Sequence, residues 1–244
     1  MAKIIVNADD FGLSRAVNYG IVDAFRNGIL TSTTLMMNTP GLDHGVELSR
    51  QYPDLKVGLH LNIALGHPLT GGKTLVGDNG EFIKPKNLKP DHFFDEEEVY
   101  HEIEAQYDRF VSMMGKKPSH LDSHLFTTDS NHVMEKCAIR LAETYHLPLR
   151  NHDIEGSRHV RFVQFRTYQA EVGLNYVYDN IDDIVKYDYT EIMTHPAYMD
   201  SFVMNKSSYN LKRLEELDFL TSERTKQMMR HYKIELISYE DVAI

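Results

Sequence analysis

With one cysteine in 244 residues, Cys137, the chain can form no internal disulfide and no thiolate metal cluster. Its position within a helical pattern points to packing in a core. Long apolar runs are also missing. The opening Met1-Ala2-Lys3-Ile4-Ile5-Val6 turns polar at Asn7, too soon for a membrane span or a signal peptide, so a cytoplasmic location is expected. Basic charge is in deficit, with 26 Lys and Arg against 36 Asp and Glu and a formal net charge of -10. Nucleic acids and anionic membranes demand a basic patch that releases counterions, so neither is expected as a partner, and the substrate is expected to be neutral or cationic. Low-complexity tracts and a linker between halves are absent as well. With 42% hydrophobic and 25% charged residues, residues 1 to 244 read as one globular domain with a large core.

What is present is organised around Ile4-Ile5-Val6-Asn7-Ala8-Asp9-Asp10-Phe11-Gly12, an apolar run that ends in two adjacent carboxylates. Side chains alternate along a strand, so neighbouring aspartates cannot both face one cavity from inside a regular strand. They can where the strand is ending. Gly12 permits a sharp turn, and Ser14 is a good N-cap for the helical pattern of Val17, Ile21, Val22, Ala24 and Phe25. A lone Asp pair most often caps or solvates a turn. Three distant histidines change that reading, each at the polar end of another apolar run: Gly58-Leu59-His60, His120-Leu121-Asp122-Ser123-His124 and Met193-Thr194-His195-Pro196. Residues at the C-terminal ends of barrel strands converge on one face, and one carboxylate with two imidazoles makes a metal site with open positions.

Strand and helix signals alternate along the chain, which predicts parallel βαβ units and an α/β fold: a distorted TIM-like (β/α) barrel of about seven or eight strands. Residues 95 to 114 are the clearest helix, with Asp95-Glu96-Glu97-Glu98 in the first turn and Gly115 at the end. Further helices are expected over residues 41 to 51, 131 to 145 and 211 to 232, and strands over 147 to 150, 160 to 165 and 234 to 237. Residues 64 to 93, rich in Gly and Pro, break the rhythm and read either as a flap insertion over the catalytic face, where a lid or the partner copy of a homodimer would border the substrate, or as a solvent-exposed insertion. Asp78-Asn79-Gly80 suits a hairpin turn within it.

The chain resembles the YdjC-like carbohydrate deacetylases, a family that includes chitooligosaccharide deacetylases. The likeness rests on Val6-Asn7-Ala8-Asp9-Asp10-Phe11-Gly12-Leu13-Ser14, Asn27-Gly28-Ile29 with Thr31-Ser32-Thr33-Thr34, Gly58-Leu59-His60, His120-Leu121-Asp122-Ser123-His124, Thr194-His195-Pro196-Ala197 and Glu216-Leu217-Asp218. The resemblance implies that Asp10, His60 and His124 hold one divalent metal ion, magnesium or zinc. It implies hydrolysis of the N-acetyl group of a small acetylated amino sugar or oligosaccharide such as chitobiose. By analogy with polysaccharide deacetylases, Asp9 is the general base and His195 the acid. Arg150 and Asp122 are candidates to support the site, Arg150 by holding Asp9 ionised or else forming a surface salt bridge, Asp122 by orienting a ligand or else filling a polar core layer, and His120 is expected to be structural. Where family members often place further histidines, Leu125-Phe126-Thr127 follows the Asp-Ser-His motif, which puts substrate contacts at that rim in question. Other chemistries suit the same ligand set: phosphoester hydrolysis, sugar isomerisation, non-haem iron oxygenation, or binding of a sugar without turnover.

Overall fold

Ile4, Ile5 and Val6 have no exposed surface, as required of a strand covered on both faces of a parallel sheet. In the computed structural model, which describes residues 1–89, 92–163 and 173–242, this run opens β1 (Lys3–Phe11), the centre of a seven-stranded sheet. Burial of each of these three side chains contributes about 1.5–3 kcal/mol. Period 2 divides them: Ile4, Val6 and Ala8 face the main core, while Ile5 joins Ile237, Tyr239 and Val242 in a second cluster. Asn7 and Asp9 follow Ile5 along that second face.

The chain continues through α1 (Arg15–Asn27), β2 (Ser32–Leu35), α2 (Leu42–Gln51), β3 (Lys56–Leu61), α3 (Glu96–Met114) and β4 (Leu121–Ser123). Next come α4 (Thr127–Ser130), α5 (His132–Tyr145), β5 (Arg161–Val163), α6 (Asn175–Ile184) and β6 (Tyr189–Thr194). It closes with α7 (Ser201–Lys206), α8 (Lys212–Thr221), α9 (Glu223–His231) and β7 (Glu235–Ile237). The sheet order is β4-β3-β2-β1-β6-β5, and every pairing between these strands is parallel. β6 takes one edge of β1 from Lys3 to Ala8, so β7 (at Lys3 to Ile5) and β2 (from Asn7 onward) divide the other.

The result is a curled half-barrel with β4 and β5 at its two ends, not the full circle of a TIM-like barrel that the alternation of elements suggested. Part of the difference lies at residues 147 to 150. They make no strand, and only Leu149 forms isolated bridges, to Leu121 and His152. The strand expected over 160 to 165 is observed as Arg161–Val163, with Gln164 and Phe165 outside the described residues. The single helix expected over 211 to 232 is two, broken at Ser222, whose extended backbone and hydroxyl cap α9 through Thr225 N. α3 follows expectation closely: Asp95 accepts from Glu98 N at 3.0 Å, and Gly115 ends the helix at φ 69°.

The segment after β3 is tethered by acidic side chains of α3. Glu102 accepts from Leu69 N and Thr70 N, and Glu98 from Thr74 N at 2.7 Å. Within it, Val76 pairs with Phe82 across a turn in which Gly80 has φ 73°. Ala64, Leu65, Lys84, Pro85 and Lys86 of this segment border the cavity described next.

Candidate metal centre and active site

Asp10 sits at φ 71°, a left-handed backbone uncommon for a residue with a side chain, although Asp is one of the types that tolerates it. The register with β2 shows why it is needed. Ala8 pairs with Thr33 and Phe11 with Leu35, so β1 spends one more residue than β2 over the same interval, a β-bulge. The extra residue breaks the alternation, and Asp9 and Asp10 both line a single cavity of about 520 Å³. Gly12 follows at φ 88°, where the chain turns toward α1.

His60 and His124 line that cavity too, at the ends of β3 and β4. Asp10 Oδ1 lies 2.9 Å from His124 Nδ1 and 3.4 Å from His60 Nε2, with Asp10 and His60 buried and His124 half-buried. Oδ1 has no hydrogen-bond donor in line with it, so these are three ligand-type atoms facing one point. Ligands 2.0–2.1 Å from a tetrahedral cation stand about 3.4 Å from one another, which is close to this spacing. The donor set fits a divalent cation. Its surroundings are arranged to match: His60 Nδ1 is 2.7 Å from Asp122 Oδ1, and Asp122 Oδ2 accepts from Thr34 Oγ1 at 2.9 Å. A carboxylate on Nδ1 fixes the tautomer that leaves Nε2 as the ligand atom. Burial disfavours the charged ring, but Asp122, Asp10 and Asp9 outweigh it and push the His60 pKa up to about 10. A cation must therefore displace a proton from His60.

Each aspartate is gripped by its own arginine. Arg150 donates to both oxygens of Asp9, at 2.8 and 2.7 Å, and is itself surrounded by Asp122 and Glu191. Burial pushes the Asp9 carboxyl upward, yet the Arg150 guanidinium prevails and brings it to about 2. Arg213, on α8, donates from Nη2 to Asp10 Oδ2 at 2.6 Å. Against burial, Arg213 and His124 hold Asp10 well below the usual carboxylate range.

His195, just past β6, lines the same cavity. Its backbone N–H donates to Glu216 Oε2, which is 4.0 Å from its Nδ1, and Tyr209 OH donates to the other Glu216 oxygen. Burial lowers the His195 pKa to about 4, with Arg213 and His60 acting in the same direction, so the ring is neutral near pH 7. Burial also raises Glu216 to about 7.

The structure thus gathers Asp9, Asp10, His60, His124 and His195 around one cavity, with Arg150 and Asp122 behind them. His120 is placed apart from the cavity. It stacks on Tyr239 at 4.0 Å and packs so closely on Gly58 that a Cβ there would lie 2.5 Å from its Nδ1. His120, Asp122 and His124 alternate in sequence but do not share one regular strand face, because β4 ends at Ser123. His124 then opens a tight turn in which Leu125 and Phe126 have φ 54° and 56°. Arg213, Tyr209, Glu191 and Tyr239 had no role in the sequence reading. A signal existed for two of them. Glu191 is a charge inside the buried strand Thr190-Glu191-Ile192-Met193, which requires a partner, and Arg213 lies three residues before Glu216 on an inward helix face.

Fold and cluster define an α/β protein with a buried carboxylate–imidazole centre at the C-terminal ends of its strands. The chain belongs to the YdjC-like protein family, whose model matches residues 3–231. It is 52% identical over 244 residues to carbohydrate deacetylase 2 of Listeria innocua, covering 98% of each chain. A solved structure from Enterococcus faecalis, described as a cellobiose-phosphate cleavage protein, superposes with a TM-score of 0.88 at 31% identity, covering 100% of this chain and 99% of that one. The catalytic domain of a peptidoglycan N-acetylglucosamine deacetylase from Eubacterium rectale gives 0.54 at 8% identity, covering 96% and 87%, and shares the fold alone.

Proposed function

We propose that this protein is a divalent-cation-dependent hydrolase that removes the N-acetyl group from a small acetylated amino sugar or oligosaccharide, such as diacetylchitobiose, releasing acetate and a free amine. The observation that carries the reading is the convergence of Asp10 Oδ1, His60 Nε2 and His124 Nδ1 on the floor of a cavity that also admits Asp9 and His195. The carbohydrate deacetylase name of a relative at 52% identity supports a sugar amide as the bond cleaved.

When bound, the cation, magnesium or zinc, supplies a Lewis acid that polarises the amide carbonyl and acidifies a water molecule. The remaining work falls to side chains. Asp9, kept ionised by Arg150, faces the cavity and retains lone pairs that accept the proton of the attacking water. His195 starts neutral; as negative charge builds beside it the ring takes up a proton, either the one Asp9 removed from the water or one from solvent, and passes it to the departing amine. Asp122 and Thr34 orient His60, and Glu216 holds the His195 backbone. No helix among the described residues is long and apolar enough to cross a membrane, and the acidic charge suits a one-domain cytoplasmic enzyme acting on an uncharged sugar.

The test is acetate release from diacetylchitobiose, with N-acetylglucosamine for comparison, using protein stripped by a chelator and then supplied with magnesium or zinc. Release that depends on the added cation is expected. No acetate from any N-acetyl sugar with either ion would sink the reading.

A further inference from the structure

Leu125, the residue after His124, lies at φ 54° and ψ 28°, and Phe126 beyond it at φ 56° and ψ 37°. A left-handed backbone brings Cβ too close to the following carbonyl oxygen, and a bulky side chain held there is an outlier. For Phe126 the fold supplies compensation. Its carbonyl accepts from Ser130 Oγ at 2.8 Å, and its ring packs against the main core and beside Phe162, with 6.4 Å between centroids. Leu125 differs: 49% of its surface is exposed, so burial offsets little of the strain. It also lines the catalytic cavity, as do the apolar side chains of Leu13, Leu65, Phe126 and Phe202. Strain kept beside a ligand cluster, at a side chain that the core does not need, points to a task in the cavity.

We propose that Leu125 is a specificity-determining residue whose isobutyl group packs on the apolar C–H face of the acetylated sugar ring. The identity of that sugar rests on the hydrolase reading above. Position and chemistry select the partner. Consecutive Cα atoms are about 3.8 Å apart, so a side chain next to His124 meets the ring whose acetamide is cleaved, not a remote unit of the oligosaccharide. A leucyl group forms no hydrogen bond and gains free energy only by covering apolar surface. In an acetylated amino sugar, the axial C–H bonds of the pyranose chair supply such surface between its polar edges.

The experiment compares Leu125, Leu125→Asn and Leu125→Met proteins. Asparagine tolerates the left-handed backbone and removes the apolar group, whereas methionine keeps an apolar group. Leu125→Gly, which suits this φ best, serves if the asparagine variant folds poorly. Affinity for diacetylchitobiose is measured by calorimetry with cation present, each variant placed in an Asp9→Asn background so that the sugar persists. Steady-state kinetics, cation affinity and thermal midpoint are measured with Asp9 intact. Leu125→Asn is expected to bind the sugar about 10-fold more weakly and to raise KM by the same factor, with kcat, cation affinity and midpoint unchanged. Leu125→Met is expected to stay close to wild type. Unchanged sugar affinity in Leu125→Asn overturns the proposal. So does a loss of cation affinity that accounts for the loss of sugar, because Leu125 would then only shape the turn holding His124. A shift of kcat/KM from the N-acetyl toward the N-propionyl disaccharide would place Leu125 against the acyl group and also overturn it. Wild type that binds the sugar but releases no acetate defeats the hydrolase reading and leaves the weaker binding of Leu125→Asn as the support for the contact. Wild type that binds no acetylated sugar defeats both.

Discussion

Asp9 and Asp10 are adjacent in the chain, face the same cavity, and are bound by arginines more than sixty residues apart, Arg150 and Arg213. The bulge that turns Asp10 to φ 71° is what lets one strand end supply two carboxylates with different partners to one cavity. Asp10 offers a free oxygen to His60 and His124, while Asp9 has both oxygens engaged. Removing each should therefore have a different signature. Asp10→Ala or His124→Ala is expected to lose cation binding by calorimetry and acetate release together. Asp9→Asn is expected to keep the cation and lose turnover by about 10²-fold or more. Full activity in Asp9→Asn eliminates its role as base.

Asp122 does not line the cavity and bears on it through His60 and, by way of Arg150, through Asp9. Without its carboxylate on Nδ1 the ring loses the partner that fixes its tautomer, so Asp122→Asn should weaken cation affinity by about 10- to 100-fold. Isothermal titration with zinc would check this, and an unchanged affinity would assign Asp122 to the Arg150 network alone.

The convergence of the site was legible because the motifs themselves sit at strand ends, where period and polarity change together: Asp9-Asp10 after Ile4-Ile5-Val6, His60 after Val57-Gly58-Leu59, His195 after Ile192-Met193-Thr194. Helix bounds were legible from caps, as at Asp95 and Gly115. What the sequence hid depends on contacts made across the chain. The spacing of Arg213 from Glu216 hints at an inward face without naming Asp10 as its partner, and the buried Glu191 reveals a need for a partner without naming Arg150 or Tyr239. Sheet closure was hidden for the same reason. Leu147-Pro148-Leu149-Arg150 has strand-like composition, yet it forms only single bridges and delivers Arg150 inward.

Arg150 is buried among Asp9, Asp122 and Glu191, so it is the neutralising charge of that cluster. Arg150→Met would leave three carboxylates without their cation, and breaking a buried pair in this way destabilises by about 3–5 kcal/mol. Urea unfolding should show a corresponding fall in midpoint. A change below about 1 kcal/mol, the level of a surface ion pair, would mean the carboxylates find other partners.

Gly58 makes a purely steric prediction. A Cβ there would lie 2.5 Å from His120 Nδ1 and 2.8 Å from the His120 carbonyl oxygen, and the latter is backbone that cannot swing aside. Gly58→Ala should destabilise by about 1–3 kcal/mol, as overpacking does. It should also displace β3 enough to lower cation affinity at His60, two residues on. Retained stability and affinity would show that β3 and β4 can separate without cost.

His195 and Glu216 give opposite pH dependences from neighbouring positions. Burial depresses His195 from 6.5 to about 4, so its contribution is present above pH 6.5 and lost as pH falls to 4, where the unfolded chain binds the proton first. Burial raises Glu216 from 4.5 to about 7, so its contribution is fully present below pH 4.5 and lost as pH rises to 7. Across the shared window from 4.5 to 6.5 the two slopes oppose each other, and the wild type should show little net dependence from the pair. Each single variant unmasks the other group. The stability advantage of wild type over Glu216→Gln should shrink as pH rises from 4.5 to 7, and that over His195→Gln should shrink as pH falls from 6.5 to 4. Urea titrations at pH 4.5, 5.5 and 7 would resolve the two trends. Parallel slopes for both variants would contradict the assignment of a neutral imidazole beside a protonatable carboxyl.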